Sequence, residues 1–137
     1  MTTSQTAHQF VRSINAHDNG QIVGLMATDF VFIDSLGSKS TRPAIDAGWQ
    51  HYFDMVPDYW IRVDRTVTDG KTVILIGAAG GTFVPAGGKM TPGNSWETPA
   101  AWRAVIKGGK VSEWQIYCDN EPIREKMRTA ASARSTP

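Results

Sequence analysis

The sequence predicts an α+β domain in which a curved, antiparallel or mixed β-sheet wraps around three N-terminal helices as an α+β barrel and leaves a cone-like pocket. Three observations carry this. Apolar residues recur at helical spacing up to Val56, whereas almost everything after Pro57 has strand character. Asp69-Gly70 and Lys107-Gly108-Gly109 are turn signals that divide the second half into hairpins. Helices first and antiparallel strands afterwards place the helices on one face of a sheet. A bent sheet half closed over helices leaves a pocket walled by the inward residues of both.

The first helix spans Ser4 to Ala16, with Ala7, Phe10, Val11 and Ile14 as one apolar stripe. Asp18 and Gln21 form a capping-box-like pair at the start of a second, short helix carrying Ile22, Leu25 and Met26. Thr28-Asp29 ends it. Phe30-Val31-Phe32-Ile33 then reads as a buried strand running into Asp34, with a turn at Ser35-Leu36-Gly37. Leu36 to Thr41 is small and polar, a turn with room for one short strand. Thr41 caps a third helix, which tolerates Pro43 in its first turn and stops at Pro57. Its apolar set is Ile45, Trp49, Tyr52, Phe53 and Val56.

Tyr59, Ile61, Val63 and Val67 alternate with polar residues in the next strand, which therefore has one wet face. Thr72 to Ala79 is almost continuously apolar, as expected of a strand covered on both faces. Gly77, Gly80 and Gly81 suit a bend or bulge. Pro85 to Ser95 reads as a mobile connection. In the last hairpin, a three-residue loop at Lys107-Gly108-Gly109 pairs Trp102 with Trp114 and Arg103 with Glu113. That register puts Ala100, Trp102, Ala104, Ile106, Trp114, Ile116 and Cys118 inside and an opposite-charge pair outside. Asn120-Glu121-Pro122 starts a short final helix anchored by Ile123 and Met127.

Residues 1–137 are expected to form one domain, with a core from about 3 to 128 and a flexible tail at 129–137. A chain of this length buries roughly 68% of its unfolded surface, enough for one core without staples. With 14 basic and 13 acidic residues the net charge is +1, and no basic patch invites nucleic acid. No apolar run is long enough for a membrane span. The first residues lack the basic and apolar regions of a signal peptide, and Cys118 is the one cysteine, so a cytoplasmic setting is expected. No pair of His8, His17 and His51 has metal-ligand spacing, so neither a metal nor a cofactor is expected.

Asp34 is the first candidate for chemistry. One reading makes it a general base at the pocket mouth, beside aromatic residues. The other makes it an Asx-type turn, accepting backbone N–H groups of Leu36 or Gly37. Trp49, Tyr52, Trp102 and Trp114, with Phe10, Ile14, Phe32, Tyr59, Ala100, Ile116 and Cys118, are the inward residues expected to wall a cavity for a small apolar molecule. Each is equally readable as core.

Element order and local phrases resemble the nuclear transport factor 2-like superfamily, which includes SnoaL-like polyketide cyclases and ketosteroid isomerases. The phrases are Phe10-Val11-Arg12-Ser13-Ile14-Asn15-Ala16-His17-Asp18, Phe32-Ile33-Asp34-Ser35-Leu36-Gly37, Ala101-Trp102-Arg103-Ala104-Val105 and Gly109-Lys110-Val111-Ser112-Glu113-Trp114. The resemblance spans roughly Thr3 to Met127. It implies that Asp34 stands where ketosteroid isomerases keep their general base. Their oxyanion hole consists of a Tyr and a protonated Asp, and those positions correspond here to Phe10 and Ala100, neither of which is a donor. One such donor is worth about 10² to 10³ in rate, so steroid isomerisation by that mechanism is not expected. Asp119 falls near an acid–base Asp of the SnoaL-like cyclases, although the hairpin register points it outward or makes it the cap of the last helix. Arg103 resembles the central residue of the Asp-Arg-Asp arrangement in related epoxide hydrolases, but its expected partner is Glu113 on the outer face. The resemblance thus implies a cofactor-independent isomerase or cyclase using Asp34, or a non-catalytic ligand-binding or dimerisation module. A homodimer through the outer sheet face, with Pro99, Ala101, Val105 and Tyr117, is part of that expectation.

Overall fold

The computed structural model describes residues 1–135. Among them are helices α1 (Thr3–Asn15), α2 (Asn19–Leu25), α3 (Arg42–Met55) and α4 (Glu121–Ser135), and strands β1 (Met26–Ile33), β2 (Lys39–Thr41), β3 (Trp60–Asp69), β4 (Thr72–Thr82), β5 (Ser95–Lys107) and β6 (Lys110–Cys118). The strands form one sheet in the order β2-β1-β6-β5-β4-β3. Every neighbouring pair is antiparallel except β1 and β6, which run parallel. This is the α+β architecture expected, except that the mixed sheet does not close into a barrel, since β2 and β3 remain its unpaired edges. The core lies between the sheet and the helices, where Phe10, Ile14, Phe30, Phe53, Leu75, Trp102 and Trp114 are buried together.

Element boundaries moved where tertiary pairing extended a segment. β1 begins at Met26, four residues before the apolar run, because its parallel partner supplies a ladder bond opposite Val111. Thr41 is the N-cap of α3, but its side chain makes no capping bond. α4 is longer than the short helix expected and stays helical to Ser135, through most of the anticipated tail. Residues 136–137 of that tail lie outside the described residues. The Pro85–Ser95 connection contains one 3₁₀ turn, Pro92–Asn94.

Two bulges reset the faces of the sheet. In β3, Val63 pairs with Gly77 but Arg65 with Ile76, so Asp64 is extra. An added Cβ at Gly77 would stand 1.8 Å from the Arg62 carbonyl oxygen, so only glycine lets the strands approach here. Beyond the bulge the facing flips. Val67, expected inward, is 46% exposed, and Thr66 instead bonds His8 (2.9 Å). β4 is likewise covered on both faces only in its later half, and Ile76 is 41% exposed on the outer face. Outward, Ile76 lines up with Ala101 and Tyr117 across β4, β5 and β6.

The last hairpin corrects the expected register. Its loop has two residues, Gly108 and Gly109, both at positive φ, and Lys107 pairs with Lys110. Continued unchanged, that turn would set Trp114 beside Arg103. The register instead slips between Ile106 and Val105, leaving buried Ser112 as the extra residue, with its hydroxyl donating to the Val105 carbonyl (3.1 Å). Trp114 therefore opposes Ala104 and Trp102 opposes Ile116. Both indoles still face inward, 6.4 Å apart, and Arg103 reaches Glu113 (3.4 Å) on the outer face. The expected faces hold, by a different pairing.

Candidate functional site

A cavity of about 300 Å³ opens between α3 and the inner face of the sheet. α3 supplies Ile45, Gly48, Trp49 and Tyr52, spaced so that they fall on one stripe. β5 and β6 supply Trp102, Trp114 and Ile116; β1 supplies Phe32. Tyr59 and Ile61 form the wall at β3, an edge strand with unpaired backbone groups. The end of α1 satisfies these groups. Asn15 accepts from the Ile61 N–H (2.7 Å) and donates to its carbonyl (2.9 Å), acting as a surrogate strand. His17, at φ +53°, places Nε2 2.8 Å from the Tyr59 carbonyl and stacks on Phe53. His17 is thus committed to holding the wall.

The polar end of the cavity consists of Asp34, Ser35 and Asn120. Asp34-Ser35 follows β1 and Asn120 follows β6; because those strands run parallel, both segments emerge at the same end. Asp34 is half-buried, and its Oδ1 accepts from the N–H groups of Leu36 (2.9 Å) and Ser38 (3.0 Å). Among the described residues Oδ2 has no hydrogen-bond partner. Both readings of Asp34 thus describe part of the geometry: one oxygen makes the turn and the other is uncommitted.

Tyr52 and Tyr59 meet edge to face at 5.0 Å, and neither hydroxyl is hydrogen-bonded among the described residues. Burial, and to a lesser extent the Cys118 thiol, pushes the Tyr52 phenol far above its ordinary range. Burial raises Tyr59 as well, reinforced by Tyr52 and then Cys118. Both stay protonated donors at neutral pH. In the unfolded chain these phenols ionise near pH 10. The folded chain therefore keeps protons that the unfolded chain loses, and this contribution to stability is complete below pH 10 and declines above it. An absorbance titration of the folded protein should show no phenolate from Tyr52 or Tyr59 around pH 10, with a falling urea midpoint as pH rises further. Ionisation of Tyr52 or Tyr59 at that pH would contradict the burial of this pair.

Of the residues expected at the site, Asp34, Phe32, Trp49, Tyr52, Tyr59, Trp102, Trp114 and Ile116 line the cavity. Phe10, Ile14 and Ala100 do not; they are buried core, and the Phe10 ring backs Trp114 at 4.8 Å. Cys118 stands behind the lining, its thiol donating to Asn120 Oδ1 (3.2 Å). Asp119 is exposed and outside the cavity, and its Oδ1 accepts from the Glu121 N–H at the start of α4, the capping alternative. Ile45, Gly48 and Ile61 were not expected, although each follows from the periodicity of a recognised neighbour. Ser35 and Asn120 had no local signal, because only the parallel pairing joins them.

An acceptor at one end of an aromatic slot, with protonated donors around it, can move a proton next to a carbonyl without a cofactor. Comparison with solved structures finds this fold repeatedly. A candidate SnoaL-like polyketide cyclase of Shewanella denitrificans superposes with a TM-score of 0.79 at 16% identity, covering 93% of this chain and 97% of the other. IdmH, a candidate polyketide cyclase of Streptomyces antibioticus, gives 0.77 at 21% identity, covering 93% and 99%. A Catenulispora acidiphila protein with a ketosteroid isomerase-like fold, in complex with trimethylamine, gives 0.76 at 17% identity, covering 91% and 93%. No curated protein sequence matches. The family model of the SnoaL-like domain matches residues 7–114, from the first helix through Trp114. By that match, and by a fold that agrees with it, the chain belongs to the SnoaL-like domain family.

Proposed function

We propose that this protein is a cofactor-independent enzyme of the isomerase or cyclase type, with Asp34 as general base on an apolar carbonyl substrate. The observation that carries the reading is Asp34 itself, the one carboxylate in a largely apolar and aromatic cavity lining, whose Oδ2 has no hydrogen-bond partner among the described residues. Oδ2 takes a proton from the carbon next to the carbonyl, and the C–H electron pair becomes the enolate. Returning the proton to another carbon of the same π-system isomerises the substrate. Attack of the deprotonated carbon on a second carbonyl of the same molecule closes a ring instead, and the proton held by Asp34 passes to the new alkoxide oxygen. The candidate polyketide cyclases among the solved structures agree with this class of reaction.

Cavity size sets the probe. An apolar cavity of about 150 Å³ holds one benzene, and this one, about 300 Å³, suits two fused rings. 2-Tetralone in deuterium oxide should exchange the protons beside its carbonyl faster with the protein than in buffer alone. No acceleration would remove the enzymatic reading. The turn bonds at Oδ1 favour a second reading, a non-catalytic binding module; tetralone bound without exchange would be its signature.

A further inference from the structure

The proposed base lacks a partner at the positions where the resemblance placed oxyanion donors, since Phe10 and Ala100 are buried core outside the cavity. A substitute donor must lie at the same end as Asp34, because a carbonyl oxygen is only two bonds from the carbon that loses the proton. Tyr52 and Tyr59 also come near enough to the Cys118 thiol to feel its charge, but Ser35 is next to Asp34 in the chain and Asn120 is bonded to Ser35, so these two donors share the polar end with Asp34.

Their hydrogen bonds form a directed chain. The Cys118 thiol donates to Asn120 Oδ1 (3.2 Å), which fixes the amide so that Nδ2 donates to Ser35 Oγ (2.5 Å). Burial raises the thiol, only partly offset by its hydrogen bond with Ser35, so it stays an S–H donor at neutral pH. Ser35 Oγ accepts from Asn120, and its own proton faces the Cys118 sulfur, a weak acceptor from which a carbonyl oxygen can take it. Each bond in such a chain polarises the next, making the terminal hydroxyl a better donor. The amide also keeps a second N–H beyond the one given to Ser35.

We infer that Ser35 is the hydrogen-bond donor that receives the ligand's carbonyl oxygen, with Asn120 as the positioning residue that aims its hydroxyl into the cavity. The ligand class is a neutral, flat ketone of about two fused rings, its oxygen at the Asp34–Ser35–Asn120 end and its rings against Trp49, Trp102 and Trp114. This rests on the carbonyl-ligand reading above but is separable from it, since binding can be measured without proton transfer.

The test compares 2-tetralone with tetralin, the same two rings without the oxygen, by quenching of tryptophan fluorescence. The wild-type protein should prefer the ketone. Ser35→Ala should reduce that preference roughly two- to tenfold and leave tetralin affinity unchanged, which also reports an intact fold. Asn120→Asp keeps the shape but replaces the Nδ2 donor with an acceptor. The Ser35 proton then turns toward that acceptor, and the ketone preference should fall in the same way. A preference untouched by Ser35→Ala, or carried entirely by Tyr52→Phe or Tyr59→Phe, overturns the assignment. If Asn120→Asp alone has no effect, Asn120 is not the positioning residue. Ketone preference lost in Ser35→Ala, with no exchange even in the wild type, keeps the donor and removes the catalytic reading. Exchange with a preference indifferent to Ser35 does the reverse, and failure of both compounds to bind removes both.

Discussion

Asp34→Asn is expected to lower the rate of 2-tetralone proton exchange by about 10² to 10⁴, the usual contribution of a positioned general base, while ketone binding changes little. The substitution suits this site because of how the two carboxylate oxygens are divided. Oδ1 accepts from the N–H groups of Leu36 and Ser38, and an amide oxygen can accept the same two bonds. The turn Asp34–Ser38 therefore survives. The NH₂ then replaces Oδ2, the oxygen without a partner, so an acceptor becomes a donor where the proton has to go. Folding is preserved and basicity is lost, which makes the measurement clean. Exchange retained within threefold of wild type would show that the carboxylate serves the turn alone.

The same division explains why the sequence left Asp34 balanced between a turn and a base. An Asp followed by Ser-Leu-Gly has the local chemistry of an Asx turn whatever its second oxygen does. Only the placement of α3 and β6 decides whether that oxygen meets solvent or an aromatic slot. The wall residues were easier to read, because burial follows period. Trp49 and Tyr52 lie on one helical stripe, Tyr59 and Ile61 alternate, and Trp102 and Trp114 had to face the same way for either side of the sheet to make sense. Even so, the hairpin shows that a correct facing does not imply a correct register. The two-glycine turn and the Ser112 bulge each shift the pairing by one, and their sum reproduces the facing that a three-residue loop would have given. Val67 failed for the complementary reason, since the Asp64 bulge has no compensating shift before that residue. Asn120 was illegible altogether. It sits beside Ser35 only because β1 and β6 run parallel, and a contact across 85 residues leaves no trace in local patterning.

Trp114→Ala is expected to destabilise the fold by about 3–5 kcal/mol, the range for losing a buried aromatic side chain. That is a large share of the roughly 5–15 kcal/mol available to a domain. Trp114 is 1% exposed, opposes Ala104 across the hairpin, stacks near Trp102 and receives the Phe10 ring at 4.8 Å. Its removal therefore loosens α1 and β5 together. One effect works the other way. Trp114 also lines the cavity, so part of the space it vacates merges with an existing void, where a sealed hole would form elsewhere in the core. Phe10→Ala, at a buried aromatic residue that does not line the cavity, is the comparison that isolates this effect. Urea denaturation should show a lower midpoint at nearly constant slope for both variants. A loss below about 1 kcal/mol for Trp114→Ala would mean that α1 packs without it. If the expected loss is observed, the floor of the site and the central brace of the fold are the same indole. Substrate size is then limited by stability as much as by shape, because widening the slot at Trp114 removes the contact that holds α1 against the sheet.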